Sequence, residues 1–223
     1  MAVPALAFDM FGTLADPASY AAALRGAVDR PEALSRSWRL HQLEISWLVS
    51  LAGRYEDWTR VTGYALEAAL AEADVGLSAA VRGAVVARAA VPDLFEDVPE
   101  ALGRLRAAGM VLAVFSNGTR GGLEDIVGRH GLDGYFDEVI SCDEVGVYKP
   151  AAAAYRHAAD RLGLAIDRAW LVSGNPFDCA GAALAGMRVA KVDRGSSLTY
   201  SFAPPPDVEV RRFTDLLDAL PIQ

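Results

Sequence analysis

Five short apolar runs punctuate the chain: 3–8 (VPALAF), 110–116 (MVLAVFS), 138–145 (EVISCDEV), 169–174 (AWLVSG) and 188–193 (RVAKVD). The first four are nearly continuous rather than alternating, the pattern of parallel strands covered on both faces. Helical periods separate them. Residues 97–109 open on an Asp/Pro start and close on Gly109, and 121–132 carry a weaker period. Residues 151–164 follow Pro150, and 176–187 begin with Pro176 at the first helical position, after Asn175 as a candidate N-cap. Strand and helix alternate in the order that predicts an α/β fold built on a doubly wound parallel sheet, Rossmann-like in its connections.

The stretch from 16 to 90 breaks this alternation. It shows no strand pattern and reads as amphipathic helices over 18–28, 31–51, 55–74 and 78–90, with three of the four tryptophans, Trp38, Trp47 and Trp58. The expected organisation is therefore a core of 1–15 and 91–223, with a helical cap, 16–90, inserted after the first strand. Residues 203–207 (APPPD) read as a proline-rich surface loop, and no internal repeat is visible.

Composition narrows the classes. With 52 % hydrophobic and 22 % charged residues, 223 residues can build a full core. No apolar run reaches the length of a membrane span, and the first residues lack the basic start and cleavage site of a signal peptide. The net charge of −8, without a Lys/Arg cluster, argues against nucleic acid as a partner. An acidic protein that handles an anionic substrate must hold it with local positive groups and backbone N–H groups. The two cysteines, Cys142 and Cys179, make neither a disulfide framework nor a zinc site and read as reduced core thiols of a cytoplasmic protein.

Ligands of open α/β sheets bind where the strands end. The first strand ends in Asp9, followed by Phe11, Gly12 and Thr13; the second ends in Ser116 and Asn117. Lys149 follows the third, and Ser173, Asn175, Phe177 and Asp178 follow the fourth. A carboxylate becomes an effective nucleophile when desolvated and aligned, and a nearby lysine keeps it ionised. A strand-to-helix loop with the hydroxyl and N–H groups of Ser116 and Asn117 suits an anionic group.

On these residues the chain resembles the haloacid dehalogenase superfamily, over nearly its whole length. The resemblance makes Asp9 the nucleophile, Ser116 the second-motif hydroxyl, Lys149 the third-motif lysine and SGNPFD the fourth motif. Most members are Mg²⁺-dependent phosphatases with a second Asp two residues after the nucleophile and an early acid in the fourth motif. Here those positions hold Phe11 and Asn175. Neither can ligate Mg²⁺ as a carboxylate, and Phe11 cannot protonate a leaving alcohol. The same pattern resembles the L-2-haloacid dehalogenases, whose leaving halide needs no proton. That resemblance implies no metal and no cofactor, a small-molecule 2-haloacid as substrate and no membrane partner. Relatives pair through cap helices, which leaves a homodimer open.

The resemblance also assigns roles. SWRLHQLEISWL, residues 37–48, matches the family's cap helix W-R-x-x-Q-L-E-x-x-W-L, so Arg39 is expected to meet the departing halide, with Asn117 and Phe177 beside it. Arg39, Leu43 and Trp47 fall on one helical face. Trp58 is expected to wall the pocket, whereas Trp38 reads as packing. Thr13 should position Asp9, and Tyr155 should hydrogen-bond near it. Asp178, with Ser173, Asn175 and Lys149 around it, should orient the water that hydrolyses an ester to Asp9. Three departures bear on substrate range: Gly174 in place of a common Ser, Phe11 in place of a common Tyr, and Leu40 in place of a common Gln. A related hydrolase acting on a non-halogenated carbon, a residual Mg²⁺-dependent phosphatase and a scaffold with a vestigial site are the alternatives.

Overall fold

A computed structural model describes residues 5–221. It divides into two compact units, residues 1–15 with 94–223, and residues 16–93.

The first unit alternates strand and helix. Its elements outside the inserted segment begin with β1 (Ala5–Phe8), every residue of which is buried. Val3 and Pro4 of the first predicted run lie outside the described residues. The inserted unit supplies α1 (Ala18–Leu24), α2 (Pro31–Leu51), α3 (Trp58–Glu72) and α4 (Ala79–Ala89). The first unit then resumes with α5 (Val98–Ala107), β2 (Val111–Ser116), α6 (Arg120–Arg129), β3 (Glu138–Ser141) and α7 (Ala152–Arg161). It ends with β4 (Ala169–Ser173), α8 (Pro176–Ala185), β5 (Arg188–Val192), β6 (Val208–Val210) and α9 (Leu216–Ala219).

The strands form one parallel sheet in the order β3-β2-β1-β4-β5-β6. Chain direction across the sheet reverses between β1 and β4, so their carboxyl ends frame the crevice where such sheets bind ligands. Each covering helix turns a small apolar stripe inward: Val98, Ala101, Leu102 and Leu105 on α5, and Ala154, Tyr155, Ala158 and Ala159 on α7. Gly186, at φ 92°, closes α8 in the left-handed conformation that a side chain would resist.

Several boundaries differ from the sequence reading for local reasons. The third apolar run stops being a strand at Ser141, whose hydroxyl accepts the Asp143 N–H (3.1 Å) and starts a 3-10 turn over Cys142–Glu144. α3 starts at Trp58 because Asp57 caps it, accepting the Arg60 N–H at 3.0 Å. β6 and α9 carried no legible period. Val208–Val210 has three residues with a charge in the middle, and α9 has only four.

The helical unit has its own core. Trp38 is fully buried there, its ring edge-on to Tyr20 with centroids 4.8 Å apart, among Leu24, Leu34, Leu66 and Leu70. Its Nε1–H donates to the Thr62 carbonyl (2.9 Å), so the one polar atom of the ring is satisfied. Among the described residues, no helix is long and apolar enough to cross a membrane.

Candidate active site

Asp9 follows β1 directly, and its N–H still donates to the Val172 carbonyl at 3.0 Å. The sheet ladder thus runs up to the acid and fixes its backbone. The carboxylate is only 6 % exposed, a costly place for a charge unless donors surround it. Oδ2 accepts from Thr13 Oγ1 (2.7 Å) and Asn175 Nδ2 (2.7 Å), and Oδ1 from Lys149 Nζ (3.0 Å). Three donors, one of them cationic, make a strong set of bonds to an ionised carboxylate.

Lys149 is buried to the same degree as the core around it. Its ammonium also donates to Asp178 Oδ2 at 2.9 Å and stands 4.5 Å from the centre of the Phe115 ring. Burial opposes its charge, but Asp178 and Asp9 outweigh that effect and hold its pKa above the usual lysine value. Asn117 anchors this lysine's backbone, its Oδ1 accepting the Lys149 N–H at 2.9 Å. The side-chain carbonyl of Asn117 thus serves the lysine loop, a use separate from the anion contact expected of its N–H groups.

Asp178 is fully buried in the first turn of α8, where the helix N-terminus favours a negative charge. Its Oδ1 accepts from the Tyr155 hydroxyl (2.8 Å). Burial raises its pKa and Lys149 offsets part of that, while the Asp9 charge raises it further. Tyr155, expected to hydrogen-bond near the nucleophile, donates to this second carboxylate, whose partner Lys149 also holds Asp9, and its own pKa is pushed well up by burial and by Asp178. Two carboxylates thus flank one ammonium, with Lys149 Nζ 3.0 Å from Asp9 Oδ1 and 2.9 Å from Asp178 Oδ2.

The fourth-motif residues divide their tasks. Asn175 occupies the N-cap position of α8 but makes no capping bond with its side chain. This corrects the capping role expected from sequence: Nδ2 is committed to Asp9 and to the Phe11 carbonyl (2.8 Å). Ser173, fully buried, accepts the Asn175 N–H with its Oγ (3.1 Å). Ser116, also buried, accepts the Gly118 N–H (3.3 Å) at the end of β2. Phe177 is half-buried at the second position of α8. The Phe11 ring is almost fully buried, and a Cβ on Gly118 would lie 3.2 Å from it.

The helical unit carries the remaining candidates. Arg39 and Leu43 are half-buried, one turn apart on α2, and the Arg39 guanidinium lies 5.9 Å from the centre of the Trp58 ring.

Two residues received no role from the sequence, although the first is the glutamine of the cap-helix match. Gln42, fully buried on α2, accepts from Arg39 Nη1 through Oε1 (2.6 Å) and donates through Nε2 to Thr62 Oγ1 (2.7 Å). Thr62 spends its own proton on the Trp58 carbonyl (2.7 Å), which fixes the Gln42 amide with its oxygen toward Arg39. Its signal was its place on the same helical face as Trp38, where a core residue belongs. Arg194 donates through Nε to the Thr13 carbonyl (3.0 Å). It follows β5 by two residues, at the strand end that the sequence reading passed over.

A family model described as haloacid dehalogenase-like hydrolase matches residues 3–186. The chain is 35 % identical to (S)-2-haloacid dehalogenase 4A of Burkholderia cepacia, over 90 % of this chain and 87 % of that protein. It is 34 % identical to (S)-2-haloacid dehalogenase 2 of Pseudomonas sp. (strain CBS-3), over 96 % and 93 %. Among solved structures it is similar to the L-2-haloacid dehalogenase of Xanthobacter autotrophicus with chloropropionic acid covalently bound. That likeness has a TM-score of 0.89 and 30 % identity and covers 96 % of this chain and 97 % of that one.

Proposed function

The chain belongs to the haloacid dehalogenase-like hydrolases, and from that premise we propose that it hydrolyses short (S)-2-haloacids to (R)-2-hydroxyacids through an ester to Asp9. The observation that carries this reading is the surroundings of Asp9. The carboxylate is buried and held by three donors, while Phe11 and Asn175 stand where a general acid and a further carboxylate would serve a phosphatase. Such a nucleophile suits a leaving group that departs as an anion and needs no proton.

The substrate carboxylate binds at Ser116 and the backbone N–H groups near Phe11 and Asn117. An Asp9 oxygen forms a bond to the halogen-bearing carbon as the carbon–halogen bond breaks, and the halide takes the electron pair. Of the two oxygens, Oδ2 serves two donors and Oδ1 one, so Oδ1 keeps the more available lone pair and is the attacking atom. In-line displacement inverts the carbon. Arg39 is assigned to the halide on the strength of the cap-helix match.

Water then attacks the ester carbonyl of Asp9, the acyl bond breaks and the hydroxy acid leaves. Asp178 takes the water's proton and returns it to the leaving oxygen, so the hydroxy acid departs with its hydroxyl, and the proton left on the regenerated Asp9 carboxyl passes to solvent. Burial raises the Asp178 pKa, which suits a proton acceptor, and Tyr155 and Lys149 fix its orientation. Thr13 and Asn175 keep Asp9 from rotating during both steps.

The donors present do not fit Mg²⁺. The ammonium of Lys149 stands between Asp9 and Asp178, 3.0 and 2.9 Å from them, where a hard cation would need their oxygens. The remaining neighbours, Phe11 and Asn175, add no carboxylate.

Halide release from L- and D-2-chloropropionate tests the reading. Release from the L form, with formation of the D-hydroxy acid, is the expected result. Turnover of the D form alone contradicts it, and turnover of neither form by folded protein removes it.

A further inference from the structure

The fourth motif carries Gly174 between Ser173 and Asn175, and the structure shows what fills the space of its missing side chain. A Cβ there would lie 2.5 Å from the Gly12 carbonyl oxygen and 2.7 Å from Arg194 Cγ. Real Cβ atoms do not approach backbone that closely, so glycine at this position lets two other chain segments close over β4. One is the turn after the nucleophile, and the other is the Arg194 stem.

Arg194 is tightly held. Its side chain is 10 % exposed, and its Nη1 pairs with Asp97 Oδ1 at 2.9 Å. Its guanidinium lies 4.0 Å from the centre of the Phe95 ring and 5.4 Å from that of Phe213. Asp97 is fixed in turn, its Oδ2 accepting the Phe213 N–H at 3.0 Å. An arginine held over aromatic rings and paired with a carboxylate has little freedom, so its remaining donors point in set directions. One of them, Nε–H, meets the Thr13 carbonyl (3.0 Å).

Thr13 is the link to chemistry. Its hydroxyl donates to Asp9 Oδ2 (2.7 Å) and accepts the Gly174 N–H (2.9 Å). The residue is therefore gripped at both ends: by Arg194 at its carbonyl and by Gly174 and Asp9 at its side chain. We propose that Arg194 is a positioning residue for the nucleophile, acting through Thr13, with Gly174 as the glycine that makes room for it. On this account Gly174, which departs from the resembling family's usual serine, belongs to the framework of the nucleophile and not to substrate choice. The proposal rests on Asp9 being the nucleophile. Misplacing a reacting group by about an ångström can cost on the order of a hundredfold in rate, so a side chain that only orients can matter kinetically.

A double-mutant cycle tests it, using single-turnover halide release from L-2-chloropropionate by Arg194→Met, Thr13→Val and the double variant. Arg194→Met alone is expected to slow ester formation by about tenfold with KM little changed, because substrate contacts are intact. In the Thr13→Val background the same change is expected to cost less than about twofold, because the route to Asp9 is already cut. Equal losses in both backgrounds, or a lowered melting temperature with an unchanged rate, overturn the proposal. Should Arg194→Met fail to fold, Arg194→Lys and Asp97→Asn replace it in the same cycle with the same expectation. If Asp9→Asn retains activity, the nucleophile reading itself fails. If Asp9→Asn is inactive and the cycle is additive, only the role of Arg194 fails.

Discussion

Asn175 stands at the N-cap of α8 and gives its side chain to Asp9, with Nδ2 2.7 Å from Oδ2. A residue that an isolated helix would use to satisfy its own backbone is used here to hold the nucleophile. The same amide group donates to the Phe11 carbonyl at 2.8 Å, so the loop after β1 and the start of α8 are joined through one nitrogen.

Replacing this amide with a carboxylate should therefore be worse than removing it. Asn175→Asp sets two carboxylates within hydrogen-bonding distance and turns a donor into a repelling acceptor. We expect a loss of about a hundredfold or more in halide release, and a smaller loss for Asn175→Ala. Steady-state assays on circular-dichroism-checked protein measure both. An Asp variant as active as wild type would show that the amide donor is dispensable.

Asp178→Asn removes the base but leaves Asp9 and most of the Lys149 contacts. Ester formation should proceed and ester hydrolysis should stall, so intact-mass spectrometry after mixing with 2-chloropropionate should find the protein carrying one 1-carboxyethyl group. In the wild type, the rate of ester hydrolysis should fall as pH drops, with a midpoint above the ordinary carboxylate value of 3.8, because burial raises the Asp178 pKa. Unmodified Asp178→Asn protein together with full turnover would assign the base elsewhere.

Stability should weaken in alkali. Burial pushes the Cys142 thiol from the ordinary 9.0 up to about 12. A raised folded-state pKa means the folded chain keeps a proton that the unfolded chain releases. The stabilisation is complete below pH 9.0 and is lost as pH climbs toward about 12. Lys149 and Tyr155 are shifted in the same direction and add to the decline at higher pH. Urea unfolding across this range should show falling midpoints, with a shallower decline in Cys142→Ala. A flat profile would contradict the burial of these protons.

Gly174→Ala tests close packing at the strand end. Its new Cβ would meet the Gly12 carbonyl at 2.5 Å, and backbone cannot step aside as a flexible side chain can. We expect a destabilisation of about 1–3 kcal/mol in urea unfolding, the usual cost of overpacking. An alanine variant of wild-type stability would mean that the turn after Asp9 yields freely.

What was legible in the sequence followed from strong local signals. The runs that became β1, β2 and β4 were read from unbroken apolar character, and Asp9, Lys149 and Asp178 from their place after strand ends. The joining of those residues around one ammonium is tertiary and left no local trace. Asn175 misled because its position after β4 and before Pro176 is what a capping residue shows; only the approach of Asp9 decides which use wins. Arg194 was missed because its partners, Thr13, Asp97 and Phe213, are far apart in the chain. β6 and α9 were missed because three and four residues are too few to display a period.

The central claim is that Asp9 forms an ester with the substrate carbon and that water opens the ester at the carboxyl. Single turnover in ¹⁸O-enriched water, with enzyme in excess over L-2-chloropropionate, tests this directly. The account predicts that the hydroxy acid from the first turnover carries unlabelled oxygen, taken from Asp9, and that the label appears in the Asp9 carboxylate. Full label in the first product would mean that water attacks the substrate carbon itself, and the account would be wrong.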